Sequence, residues 1–243
     1  AEINAITLVK EHCSFKVPDI LYYDTSKTIC DGNYFIMEKM KGENFYSVRN
    51  DMPENIIATI DKEIGKISCE LTKVQNAEFG FLGDDKRYES LFAFVKQMLK
   101  NLISDAKKRD IDILYDEQTL MTQLENDKPV FESIKNASLV HWDMWEGNVF
   151  IKDGHVSGII DWERALWGEP FMDDRFRMHN RREHFLEGFG QTSFSEDELK
   201  RLRWYDIILY LTMMIEVFYR EFDDKGQYFW AREMLEKCMQ IEK

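Results

Sequence analysis

The chain has 243 residues, 44% of them apolar, enough for one large domain, or one domain plus part of another, around a substantial core. Its 32 Lys and Arg against 45 Asp and Glu give a formal net charge of -13, which excludes the basic footprint needed for nucleic acid or an anionic membrane surface and would suit a cationic ligand. The four cysteines, Cys13, Cys30, Cys69 and Cys238, form no Cys-x-x-Cys pair, which argues against a zinc site and a disulfide framework and fits a reducing cytoplasm.

Residues 2 to 12, "EINAITLVKEH", place Ile3, Ile6, Leu8 and Val9 at the spacing of a short amphipathic helix. "KVPDILYYD" and "NYFIMEKM" follow, two segments rich in β-branched and aromatic residues with Asp31-Gly32 between them, and they predict a hairpin. From Pro53, the residues Ile56, Ile57, Ile60, Ile64, Ile67, Leu71 and Val74 recur at spacings of three and four, the stripe of a helix of about six turns. Residues 88 to 108 and 116 to 128 predict two more helices. "NVFIKDGHVSGIID", residues 148 to 161, predicts a hairpin turning at Asp153-Gly154. Beyond Pro170 the pattern is helical to the end, and its most apolar run, "IILYLTMMI", lies between Asp206 and Glu216, too short for a bilayer span. No basic start with a following apolar run marks a signal peptide. The one expected boundary lies at 41 to 44, between a small α/β piece at 1 to 41 and a helical piece at 42 to 243.

The second hairpin carries polar residues that a plain hairpin does not need. A two-residue turn brings the start of one strand beside the end of the other, so Asn148 and Asp161 should be neighbours. An amide oxygen beside a carboxylate suits magnesium, which takes one or two protein side chains and completes its shell with water and phosphate oxygens. Asp143, five residues before Asn148 in "HWDMWEGN", is then placed to orient a hydroxyl and accept its proton, so the set reads as phosphoryl transfer. His141 alone is read as a loop-bracing side chain.

These residues carry a resemblance. "HWDMWEGN" matches the H-x-D-x-x-x-x-N catalytic loop of protein-kinase-like enzymes, and "IIDWE" stands where protein kinases have D-F-G. Trp162 and Glu163 in place of Phe and Gly, with "WGEP" following, resemble the aminoglycoside phosphotransferase family, whose members phosphorylate choline, fructosamine, homoserine, macrolides and other small molecules. The resemblance implies an α+β, protein-kinase-like two-lobe fold with a mainly helical large lobe, ATP or GTP as co-substrate with Mg2+, and a small-molecule hydroxyl acceptor. It makes Asp143 catalytic and Asn148 and Asp161 the metal ligands. It puts the purine against the hinge "FIMEKMKGE", at Met37, Glu38 and Met40, and against Ile160. Glu2 takes the place of the acid that pairs a phosphate-binding lysine.

The family has a nucleotide-binding loop and a lysine-bearing strand ahead of this first helix, and neither is in the sequence, so the small lobe is expected to be truncated. A nucleotide-binding or regulatory protein on a kinase scaffold is therefore the rival to an active kinase.

Overall fold

A computed structural model describes residues 1 to 240. Helix α1 (Glu2–His12) buries Ala5, Ile6 and Val9, the inward stripe of its sequence. Strands β1 (Ile20–Asp24) and β2 (Tyr34–Met37) pair antiparallel, from Ile20 opposite Met37 to Asp24 opposite Tyr34. They are shorter than the predicted runs, and the connection spans residues 25 to 33, so Asp31-Gly32 is not a tight turn.

The chain then passes through β3 (Glu43–Asn44) and a short α2 (Phe45–Val48) into α3 (Glu54–Leu71). The predicted isoleucine stripe is the buried face of α3, with Ile57, Ile60, Ile64 and Ile67 all inward. Strands β4 (Gln75–Asn76) and β5 (Gly80–Phe81) precede α4 (Leu91–Lys108), α5 (Glu117–Asn126) and the single turn α6 (Lys128–Phe131). Helix α4 starts three residues later than expected because Tyr88 pairs with Phe79 as a β-bridge, leaving Ser90 as the cap that accepts from the Ala93 N–H.

Strand β6 (Ala137–Val140) leads into the segment around Asp143, followed by β7 (Val149–Lys152), β8 (His155–Ile159) and β9 (Leu166–Gly168). Strands β7 and β8 form the predicted hairpin: Asp153 and Gly154 have φ of +53° and +82°, the left-handed pair of a type I′ turn. One sheet has the order β3-β7-β8 and another the order β4-β6-β9-β5. The second sheet gives no sequence signal, because strands of two to four residues are too short to show an alternation.

The expectation of helix from Pro170 onward is corrected in part. Residues 170 to 176 form two 3-10 turns, and helices return only as α7 (Glu183–Phe189), α8 (Glu196–Tyr219) and α9 (Gly226–Gln240). The irregular stretch has a cause in its side chains. Asp173, Asp174, Arg175 and Arg177 are buried and bond to backbone and to each other, which competes with a helical ladder. Helix α8 starts with a Ser195–Glu198 capping box and buries Ile207, Ile208, Tyr210, Leu211, Met214 and Ile215 of "IILYLTMMI". No helix among the described residues is long and apolar enough to cross a membrane, and the four cysteines are free.

The β7–β8 hairpin meets the β1–β2 side of the molecule at a tight point. The Ile159 N–H donates to the Lys16 carbonyl at 3.2 Å, and a Cβ on Gly158 would lie 1.9 Å from Met40 Cε and 3.1 Å from Lys16 O, so a larger residue there would have to displace the Met40 side chain.

Candidate active site

The site is built on backbone bonds between the β6–β7 loop and the end of β8. The Ile160 N–H donates to the Asn148 carbonyl at 3.0 Å, extending the hairpin by one rung and bringing Asn148 beside Asp161. The Asn148 Nδ2 donates to the Asp143 carbonyl at 2.8 Å. That bond ties the loop to the hairpin and leaves Oδ1 as the amide atom that could take a cation.

His141 lies beneath, fully buried, with its Nε2 2.9 Å from the Ile160 carbonyl and its Nδ1 3.3 Å from the Asp143 N–H. The amide can only donate, so Nδ1 accepts and Nε2 carries the proton given to Ile160. Burial holds the imidazole pKa down to about 4, so the ring is a neutral brace. Trp142 has φ +71°, an uncommon left-handed conformation for an aromatic residue. Its N–H donates to Asp173 Oδ2 at 3.0 Å, which holds that backbone. Arg175 Nε donates to the Met144 carbonyl at 2.7 Å, and its Nη1 lies 3.4 Å from Asp61 on α3, so the loop is pinned from below.

Asp143 is held in a charged setting. Burial raises its pKa to about 6, with Arg164 the main opposing influence and Asp174, Asp161 and Glu216 adding to the rise. Arg164 reaches across the site, its Nε 3.7 Å from Asp143 Oδ2 and its Nη2 2.6 Å from Glu216 Oε1 on α8. Beside Asp143 opens a cavity of about 520 Å³ whose lining includes Tyr46, Trp145, Arg164, Arg182, Glu216 and Arg220.

On the other side, burial and then the charge of Glu163 raise the Asp161 pKa. Glu2 enters this cluster from α1: burial and the nearby Asp161 raise its pKa, while the Trp162 backbone N–H, donating to its carboxylate, opposes that. Among the described residues no group of three or more His, Cys, Asp or Glu is arranged to hold a metal alone. The donor set of one amide oxygen, from Asn148, and one carboxylate, from Asp161, is of the kind that magnesium takes when phosphates supply the rest of its shell. Crowded acids whose ionisation is disfavoured also fit a divalent ion.

The hinge residues lie apart from this centre. The Glu38 N–H donates to the Asp19 carbonyl at 2.8 Å, and among the described residues no loop or turn bond takes up the Glu38 carbonyl or the Met40 N–H. Met37 is exposed, whereas Met40 is buried with its methyl group against Gly158, so Met40 can offer a purine only its backbone. Ile160 is half-buried, with both its peptide groups engaged.

Asp173, Arg175, Arg164, Arg182 and Glu216 are not among the site residues to which the sequence points. Arg164 follows "IIDWE" directly, and that adjacency is a local signal for it.

Residues 1–205 match the model of the phosphotransferase enzyme family, APH. A sequence comparison with curated proteins finds no match. Among solved structures, a protein from Haemophilus somnus 129PT described as a fructosamine-3-kinase superposes with a TM-score of 0.72 at 12% identity, over 99% of this chain and 79% of that one. A thermostable mutant of aminoglycoside phosphotransferase APH(4)-Ia in ternary complex with AMP-PNP and hygromycin B gives 0.68 at 18% identity, over 97% and 81%. The streptomycin–ATP complex of APH(2")-IIa gives 0.60 at 17%, over 97% and 79%. At such identities the likenesses show the fold, which is protein-kinase-like. With a family match that spans most of its length, the chain belongs to the phosphotransferase enzyme family.

Proposed function

We propose that the protein transfers the γ-phosphoryl group of ATP or GTP to a hydroxyl of a small molecule. The observation that carries this reading is the joint placement of Asp143, Asn148 and Asp161, through Asn148 Nδ2 on the Asp143 carbonyl and Ile160 N–H on the Asn148 carbonyl. The nucleotide complexes of the structural neighbours support it.

Asn148 and Asp161 would hold Mg2+, which would supply charge neutralisation for the phosphates. The Glu38 carbonyl and Met40 N–H would take the purine, with Ile160 beneath it, and Glu2 would support the phosphate side from α1. Asp143 would orient the acceptor hydroxyl. With its carboxyl at about 6, Asp143 is still far too weak to deprotonate an alcohol beforehand. It takes the proton late, as the oxygen bonds to phosphorus. Its first task is aim.

The two roles separate experimentally. Asp143→Ala should lower turnover by about 10²- to 10⁴-fold with nucleotide binding nearly unchanged, whereas Asp161→Ala should weaken binding of the magnesium nucleotide itself. Steady-state kinetics with calorimetric nucleotide titration reads both. Near-native turnover in the Asp143 variant would sink the assignment.

A further inference from the structure

The cavity beside Asp143 has a charge layout of its own, different from that of the acidic chain as a whole. Four carboxylates line it, Asp143, Glu146, Asp174 and Glu216, with three guanidiniums, Arg164, Arg182 and Arg220. Once Asp143 is set aside for the hydroxyl, three acids face three arginines, and none of those acids is free. Glu146 is taken by Arg49 at 3.0 Å and Arg182 at 2.7 Å. Glu216 is taken by Arg164 at 2.6 Å, with Arg220 at 3.7 Å. Asp174 accepts from Asn180 Nδ2 at 2.6 Å and has His179 at 3.6 Å.

Among these side chains Arg220 stands forward: it is 51% exposed, against 10%, 15% and 26% for Asp174, Glu146 and Glu216 and 20% and 30% for Arg164 and Arg182. A cationic acceptor would meet guanidiniums and acids already paired. An anionic group would meet the donors of Arg220, whose ion-pair distance to Glu216, 3.7 Å, is too long for a good hydrogen bond.

Resting on the phosphotransferase reading, we propose that the acceptor is a hydroxyl compound bearing a carboxylate or phosphate. Arg220 anchors that anion while the hydroxyl reaches Asp143. The exposed Tyr46 and Trp145, with ring centroids 5.2 Å apart at the cavity mouth, offer the apolar wall against which the carbon skeleton packs. Arg220 and Asp143 line the same cavity and are joined by the contacts Asp143–Arg164–Glu216–Arg220.

The test compares hydroxyl compounds of one size and different charge: gluconate, glucose 6-phosphate, glucose and glucosamine. Binding to the nucleotide-free protein is followed by calorimetry, and phosphoryl transfer is followed separately with magnesium ATP. The expected result is binding by gluconate or glucose 6-phosphate above glucose and glucosamine, weakened about tenfold or more by Arg220→Gln. Which of the two binds tells carboxylate from phosphate. Arg220→Gln should weaken anion binding more than it changes nucleotide binding in the same calorimetry. Glucosamine binding as well as or better than the anions, binding by none of the four, or an Arg220→Gln effect confined to ATP or kcat overturns the proposal. Anion binding that needs Arg220, with no transfer to any hydroxyl compound, would uphold the anion site and fail the kinase reading.

Discussion

The hairpins β1–β2 and β7–β8 are both antiparallel, both built from strands of four and five residues, and both carry Asp-Gly in the connecting sequence. In β7–β8 that dipeptide is the whole turn, and Val149, Ile151 and Ile159 enter the core. In β1–β2 the connection runs from 25 to 33, and the apolar side chains of Leu21 and Ile36 are 66% and 53% exposed. The same local signal therefore gives a fixed platform in one place and a solvent-facing pair in the other. What differs is burial: a strand pair is held by the face it packs, and its propensity contributes less.

The contrast can be broken by substitution. Ile159→Ala in the buried hairpin should cost about 2 to 5 kcal/mol, since it deletes a fully enclosed side chain. Urea unfolding should show a lower midpoint at unchanged slope, and a loss much below this would mean that the platform is not packed as described.

A smaller effect should appear at the loop this hairpin supports. Burial raises Asp143 from 3.8 to about 6, so the fold disfavours its ionised form. That cost is absent below the ordinary value and fully present above the raised one. Asp143→Asn should therefore leave the thermal midpoint unchanged near pH 4 and raise it near pH 8, and an equal shift at both pH values would refute the assignment. The smallest effect belongs to the exposed hairpin: Ile36→Thr should move stability by no more than about 0.5 kcal/mol in the same urea experiment.

Much of this was readable from the chain. The isoleucine stripe of α3, the type I′ turn and the meeting of Asn148 with Asp161 all follow from spacing within one or two elements. Asp173 and Arg175 were not, because they act on the Trp142 N–H and the Met144 carbonyl from 31 residues away in sequence, and no local period records such a bond. The same bonds explain why the stretch after Pro170 is irregular where its composition suggested helix. The arginine lining of the cavity beside Asp143 was hidden for a related reason: Arg164, Arg182 and Arg220 come from three separate segments, and a chain-wide count of charge averages them away.

Ile160 has a consequence out of proportion to its apolar side chain. Its N–H is bound to Asn148 and its carbonyl to His141, whose other nitrogen holds the Asp143 amide. Asn148 and Asp143 are thus tied to the two peptide groups of a single residue, and if they take the metal and the acceptor as proposed, the gap that the phosphoryl group would cross is gauged by one spacer within the chain.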